Sequence, residues 1–599
     1  MSGKTALCAL LALAFAVAGG GAHAAAAAPQ SCNLGKFADL PVTMTAMRPQ
    51  VTAKINGIDT SFTVDSGAFF SILNRATVDR LGLKTTMAPF GYEVRGAGGS
   101  ENRVDVAKAR FGLGILDVPD VLFLAIPRAG GESAGLLGQN VLSLFDTEYD
   151  IGNGMIRLMK PSDGCAHANL GYWADRNSVN EIEVEPISPQ QRHLRGTIRI
   201  NGQKMKVMFD TGASSSILKR SAAERVGFRI DAPDVQARGP VRGIGPRALE
   251  VWTAPFDSID LGGERIEHTR LQVADLDTLG ADMLLGIDFF LSHRVYVSKQ
   301  QHKIFFTYNG GPVFRLEPRA KPQLTGDPTQ TLAAHADTPT DAAAFVRRGE
   351  ASIARRDYAS AAADFGEAIK LEPNDAQHYV QRANAHAAAG EAVLAIVDFD
   401  QALKLRPSDA SALLGRGRLY LIARDAGRGA ADLDAAVKAD PDMALAVGTI
   451  YANNQRFEPA IANFDLWITG HPQAANIAMA LAQRCRTRAY WNHDLDKALA
   501  DCEAAIRKGP LTATLLETRG LAHLRRGETD AALADYDRAL KLQPKLAWAL
   551  MGRGIAKRAK GDAAGGDADI GAATAIQPNL SVAAQRYGLL PGSAGRPAV

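Results

Sequence analysis

Asp65-Ser66-Gly67-Ala68 and Asp210-Thr211-Gly212-Ala213 each close a hydrophobic run, Phe62-Thr63-Val64 in the first case and Val207-Met208-Phe209 in the second. One such tripeptide is weak evidence, because Asp, Ser, Thr and Gly are common in turns. Two copies in matching surroundings point to two half-sites of one active site. Two carboxylates that face each other can split a peptide bond with nothing but water as nucleophile. Asp65 and Asp210 are therefore the candidate catalytic residues. Such a dyad needs no cofactor and no metal.

The surroundings do match. Asn56, in Ile55-Asn56-Gly57, lies nine residues before Asp65, and Asn201, in Ile200-Asn201-Gly202, lies nine before Asp210. Asn-Gly between apolar alternating runs predicts a hairpin. Ser71-Ile72-Leu73 and Ser216-Ile217-Leu218 follow at equal offsets from the two Asp residues. Gly-rich segments come next, Arg95-Gly96-Ala97-Gly98 and Arg242-Gly243-Ile244-Gly245. Leu136-Leu137-Gly138 and Leu284-Leu285-Gly286 close the series. Short runs of Val, Ile, Leu and Phe broken by Gly and Pro read as many short strands. The order predicts a duplicated all-β domain, residues 32–160 and 190–316, with 161–189 as an inter-lobe linker.

These two blocks resemble retropepsin-like aspartic protease domains in tandem, similar to retroviral proteases and their bacterial relatives. The resemblance covers about residues 40–160 and 190–310 and rests on the apolar strand, Asp-Ser/Thr-Gly-Ala, the Ser soon after, the Gly-bearing segment and the late Leu-Leu-Gly. It implies one site built from both halves of a single chain. Gly67 and Gly212 would allow a sharp turn at the strand end. Ser66 and Thr211 would hydrogen-bond across the interface and hold the loops rigid. Two close carboxylates would share one proton. The ionised member would deprotonate the attacking water, and the protonated member would donate toward the carbonyl oxygen. Gly96, Gly98, Gly243 and Gly245 would be flap tips over an extended peptide. The halves are not equivalent: Phe69-Phe70 stands opposite Ser214-Ser215, and Asn140 opposite Asp288.

From Ala342 the character changes to an Ala-rich helical pattern. Prolines fall at Pro373, Pro407 and Pro441 and again at Pro510, Pro544 and Pro578, with Pro472 in a slightly short unit between the trios. A spacing of 34 residues with a terminal Pro is the tetratricopeptide (TPR) signature. Gly349, Gly417, Gly520 and Gly554 occupy the small site of the first helix, and Phe365, Phe399, Phe464 and Tyr536 supply the large aromatic of the second. About seven repeats are expected over 342–580, after a Pro/Thr/Ala/Asp-rich linker at 317–341 and before a tail at 581–599. Such units stack into an all-α solenoid that presents a surface to protein partners. The whole is thus expected to be multidomain, two β lobes plus a solenoid.

Lys4, the apolar run Ala6 to Ala18 and Ala22-His23-Ala24 form an export signal over residues 1–24. No later run is long enough for a membrane span. Net charge is only +3, with no dense Lys/Arg run, so nothing calls for a nucleic-acid partner. Export permits disulfides, and the remaining cysteines fall into two candidate pairs, Cys32 with Cys165 and Cys485 with Cys502. The reading is an exported, periplasmic or secreted, aspartic endopeptidase whose repeats recruit substrates or partners. The alternative is an inactive peptide-binding scaffold. Gly131-Glu132-Ser133-Ala134-Gly135 fits a serine-hydrolase elbow, but the α/β alternation that motif needs is missing.

Overall fold

A computed structural model describes residues 32–591 apart from 46, 89–93, 97–98, 102–103, 128–132, 189–190, 243–247, 277–279, 311–312, 315–338, 475 and 510. Residues 1–24 and most of the 317–341 segment lie outside the described residues.

The duplication is visible in the sheets. In the first lobe an eight-stranded sheet places Ile58–Val64, which leads to Asp65, beside Gly135–Leu137. These strands run parallel, with Leu137 opposite Val64. In the second lobe Gln203–Phe209 lies parallel to Met283–Leu285, with Leu285 opposite Phe209. The expected hairpins form at Asn56-Gly57 and Asn201-Gly202, where both Asn residues adopt positive φ. Alternate residues of each strand point inward, so Phe62, Val64, Val207 and Phe209 are fully buried.

A third sheet joins the lobes. Its order is Leu34–Pro41, Met155–Pro161, Asp146–Asp150, His293–Ser298, Lys303–Tyr308, Asn180–Glu183. The seam between lobes is the antiparallel pairing of Thr147, Glu148 and Tyr149 with Val297, Tyr296 and Val295. The segment 161–189 is therefore not merely a linker. It supplies the edge strand Asn180–Glu183 and the Cys165 end of a Cys32–Cys165 disulfide. Buried ion pairs reinforce the seam: Arg294 of the second lobe donates through Nε to Glu148 of the first at 2.9 Å, and Arg157 pairs with the same carboxylate at 2.6 Å.

Among the described residues seven antiparallel helix pairs follow, from Ala342–Ala354 with Tyr358–Leu371 to Ala547–Ala559 with Ala563–Ile576. Asp side chains cap many of their N-termini, as Asp341 does for the Ala344 N–H. The small-residue rule has a direct cause. A Cβ at Gly349 would overlap the Phe365 ring. Cys485 and Cys502 are joined across the helix pair of the fifth repeat. The tail begins as a further helix, Leu580–Arg586, rather than as loose chain. The first helix docks on the β lobes: Arg355 donates to the Leu291 carbonyl at 3.1 Å, and Ala351 and Ala354 join the lobes' core.

One repeating contact is absent from the sequence reading. In six repeats an Arg on the first helix grips a buried Asp on the second, as Arg382 does Asp398 and Arg519 does Asp535. In the fourth repeat, where Gly448 meets Phe464 as Gly349 meets Phe365, the equivalent positions are Val447 and Asn463. Removing one partner leaves a buried charge uncompensated. Arg519→Ala is expected to lower stability by about 2 kcal/mol, reduced from the fully buried case because the guanidinium is partly exposed. Urea titration of that variant and of Arg519→Leu/Asp535→Leu tests this, the double variant recovering most of the loss.

Candidate active site

Asp65 and Asp210 are brought face to face at the junction of the lobes, where their carboxyls hydrogen-bond to one another. The late Leu-Leu-Gly strands fix both: Asp65 N–H donates to the Leu137 carbonyl at 3.0 Å and Asp210 N–H to that of Leu285 at 2.8 Å. Behind each loop, Gln139 N–H donates to the Ala68 carbonyl and Ile287 N–H to that of Ala213. Gly67 and Gly212 are required by closeness rather than by unusual φ. A Cβ at Gly67 would overlap the Asp210 carboxyl, and one at Gly212 would overlap that of Asp65.

Ser66 and Thr211 clamp the halves reciprocally. Ser66 N–H donates to Thr211 Oγ1 at 3.0 Å, and Thr211 N–H donates to Ser66 Oγ at 3.0 Å. Each hydroxyl then donates onward into the opposite strand, Ser66 to the Phe209 carbonyl at 2.9 Å and Thr211 to that of Val64 at 2.7 Å. Four hydrogen bonds thus cross between the lobes in a fully buried position.

Both Asp residues retain some exposed surface, but the carboxyls are densely enclosed. Burial pushes the Asp65 pKa well above the usual range, with the Asp210 charge and hydrogen bond adding to it. Burial also raises Asp210, against the Asp65 hydrogen bond and the N–H groups of Gly212 and Ala213. Gly212 N–H reaches Asp210 Oδ1 at 2.9 Å and Ala213 N–H at 3.2 Å. The pair therefore retains a shared proton above the ordinary carboxylate range.

The outer support differs between lobes. Ser216 donates its N–H and hydroxyl to the two oxygens of buried Asp288, at 2.9 and 2.6 Å. Ser71 makes both bonds to the single Oδ1 of Asn140, at 2.6 and 2.8 Å. Both serines accept from the Leu-Leu-Gly glycine, Gly138 or Gly286. The exchange of Asn for Asp thus preserves the brace.

Gly96 lies in a small hairpin, Val94–Gly96 with Gly99–Glu101. Gly98, Gly243 and Gly245 lie outside the described residues, although Gln236–Arg242 and Ala248–Leu261 pair on either side of the second segment. Ser133 is buried, bonded to Thr63 Oγ1 and the Gly135 carbonyl, which is structural work and not that of a nucleophile. Sequence reasoning missed His193 and Arg192. His193 Nδ1 lies 3.0 Å from the Gly67 carbonyl, its ring 5.8 Å from that of Phe69. Arg192 stands 5.3 Å over Phe69. Only the asymmetry at Phe69-Phe70 hinted that the second lobe has a partner there.

Residues 51–141 and 196–289 match the family described as aspartyl protease. Residues 346–410, 382–444, 414–475 and 487–547 match the tetratricopeptide repeat. No curated protein matches the chain. Similar solved structures include a tetratricopeptide repeat protein from Parabacteroides merdae, at 18% identity and a TM-score of 0.33, covering 41% of this chain and 96% of that one. Another is YrrB, described as a TPR protein with an unusual peptide-binding site, at 24% identity and a TM-score of 0.27, covering 31% of this chain and 95% of that one. Yeast Tom70 matches at 20% identity and a TM-score of 0.28, covering 41% and 54%.

Two outcomes test the site. Thr211→Val strands Ser66 N–H and the Val64 carbonyl and should cost about 2–6 kcal/mol, at 1–3 per orphaned group, whereas Thr211→Ser should stay near wild type by urea titration. Asp65 has a folded pKa above its unfolded value of 3.8, so its unfavourable contribution grows as pH rises past that value. Asp65→Asn should therefore raise the melting temperature at neutral pH, and this gain should shrink toward pH 4.

Proposed function

We propose that this chain, two tandem aspartyl protease-type lobes followed by tetratricopeptide repeats, is an aspartic endopeptidase with one active site shared between its lobes. The observation that carries the reading is the pair of enclosed carboxyls, Asp65 and Asp210, set against one another with Gly67 and Gly212 pressed on the opposite carboxyl. The charged member of the pair deprotonates a water held between the carboxyls. That water attacks the scissile carbonyl while the protonated member donates toward its oxygen. The proton then passes to the leaving amine, and the pair returns to its singly protonated state. The N–H groups of Gly212 and Ala213 favour negative charge on Asp210. The hairpin at Val94–Glu101 is suited to covering a bound extended peptide.

The repeats serve as the recruiting module for substrates or partners, as stacked helix pairs commonly do. The N-terminal signal-like segment and the two disulfides support an exported, periplasmic or secreted protein. Among the described residues no helix is long and apolar enough to cross a membrane.

Cleavage of a peptide library across mildly acidic to neutral pH tests the proposal. Asp65→Asn and Asp210→Asn should each lower kcat/KM by at least about a hundredfold, as expected for loss of a general acid or base. Partial activity in either single variant would indicate separate sites paired between chains. A wild-type chain that cuts nothing and binds no statine-type inhibitor would instead fit a peptide-binding scaffold.

A further inference from the structure

The C-terminal helix Leu580–Arg586 caps the array, with Leu580 and Ala584 buried against the last repeat. The chain then turns back across three repeats. The Tyr587 ring lies 4.7 Å from that of Tyr490 and 6.1 Å from that of Trp548. Tyr490 belongs to the first helix of the fifth repeat, Ile477–Trp491, and Trp548 to the first helix of the seventh, Ala547–Ala559. Arg525, from the first helix of the sixth, Ala513–Arg525, donates through Nη1 to the Gly588 carbonyl at 3.2 Å and through Nη2 to that of Tyr587. Leu589 packs on the apolar clusters of these repeats, and Leu590 on that of the last. The three first helices lie side by side.

A cap needs only to cover the apolar face of the final helix pair. It gives no reason for Tyr587 to reach back to the fifth repeat. The contacts are those of a bound peptide. An aromatic anchor sits among aromatics, a guanidinium takes backbone carbonyls, and aliphatic residues lie on an apolar shelf. The fit is incomplete. Arg525 Nε is buried and has no partner among the described residues.

We propose that the face formed by Tyr490, Arg525 and Trp548 is a peptide-binding site, occupied by the chain's own Tyr587–Leu590 segment as an internal competitor. An external peptide of the same chemistry, an aromatic residue followed by aliphatic ones, enters only as the tail leaves. A ligand that also offers an acceptor to Arg525 Nε gains a bond the tail does not make. The proposal rests on the repeats' being a partner-binding module and not on the dyad's chemistry.

Fluorescence anisotropy with a labelled peptide of residues 585–591 tests it. The full chain ending at Arg586 should bind the peptide at least about tenfold more tightly than the intact chain, because the competitor is gone. Arg525→Ala in the shortened chain should abolish that gain. Tyr587→Ala/Leu589→Ala in the intact chain should reproduce the gain without shortening the tail, which covers the case of a disturbed cap. Equal binding by intact and tail-altered chains, no binding by either, or binding indifferent to Arg525→Ala overturns the proposal. Partner capture through other repeats would survive that result, so the recruiting role would stand separately.

Discussion

Everything at the centre of this molecule depends on the exchange of hydrogen bonds between Ser66 and Thr211. Two carboxyls pressed together in a poorly hydrated site favour separation as soon as both are charged. Here the lobes are denied that relief, because each hydroxyl spans the interface as acceptor and donor at once. The six-stranded sheet beneath supplies the larger restraint, with Arg294 and Arg157 converging on Glu148 across its seam. A rigid frame holds both carboxyls buried, and that burial, with the Asp210 charge adding at Asp65, raises the pKa. That raised pKa keeps a proton where the proposed hydrolysis needs one.

The lobes share a plan and differ in detail. Asn140 and Asp288 brace their loops by different atoms with the same result. Around Phe69 the difference has consequences, because Arg192 and His193 of the second lobe lean on the first lobe's loop. Burial and the Arg195 charge hold His193 below its usual pKa, so the contact with the Gly67 carbonyl is that of a neutral imidazole at neutral pH. A symmetric pair of identical lobes would have this feature on both sides or on neither.

Local order was readable from residue types. The Asp-Ser/Thr-Gly turns, the Asn-Gly hairpins and the spaced prolines each act within a few residues, so their positions in the sequence carry their structural meaning. The features that escaped reading join distant segments. Asn180–Glu183 looks like linker until Lys303–Tyr308 lies beside it. His193 is one polar residue among many until the fold sets it against Gly67. The Arg–Asp grips repeat with the TPR period, yet only the packed helix pair shows that the Asp is buried. Tyr587 similarly gains meaning only from its distance to Tyr490.

Asp65 and Asp210 should titrate as one unit within a single chain. Carbon-13 NMR of the two labelled aspartate carboxyls, followed across pH, measures this directly. Two coupled steps are expected, with one proton retained well above the ordinary value of 3.8 and its release seen in both resonances. Two independent titrations near that ordinary value would contradict it.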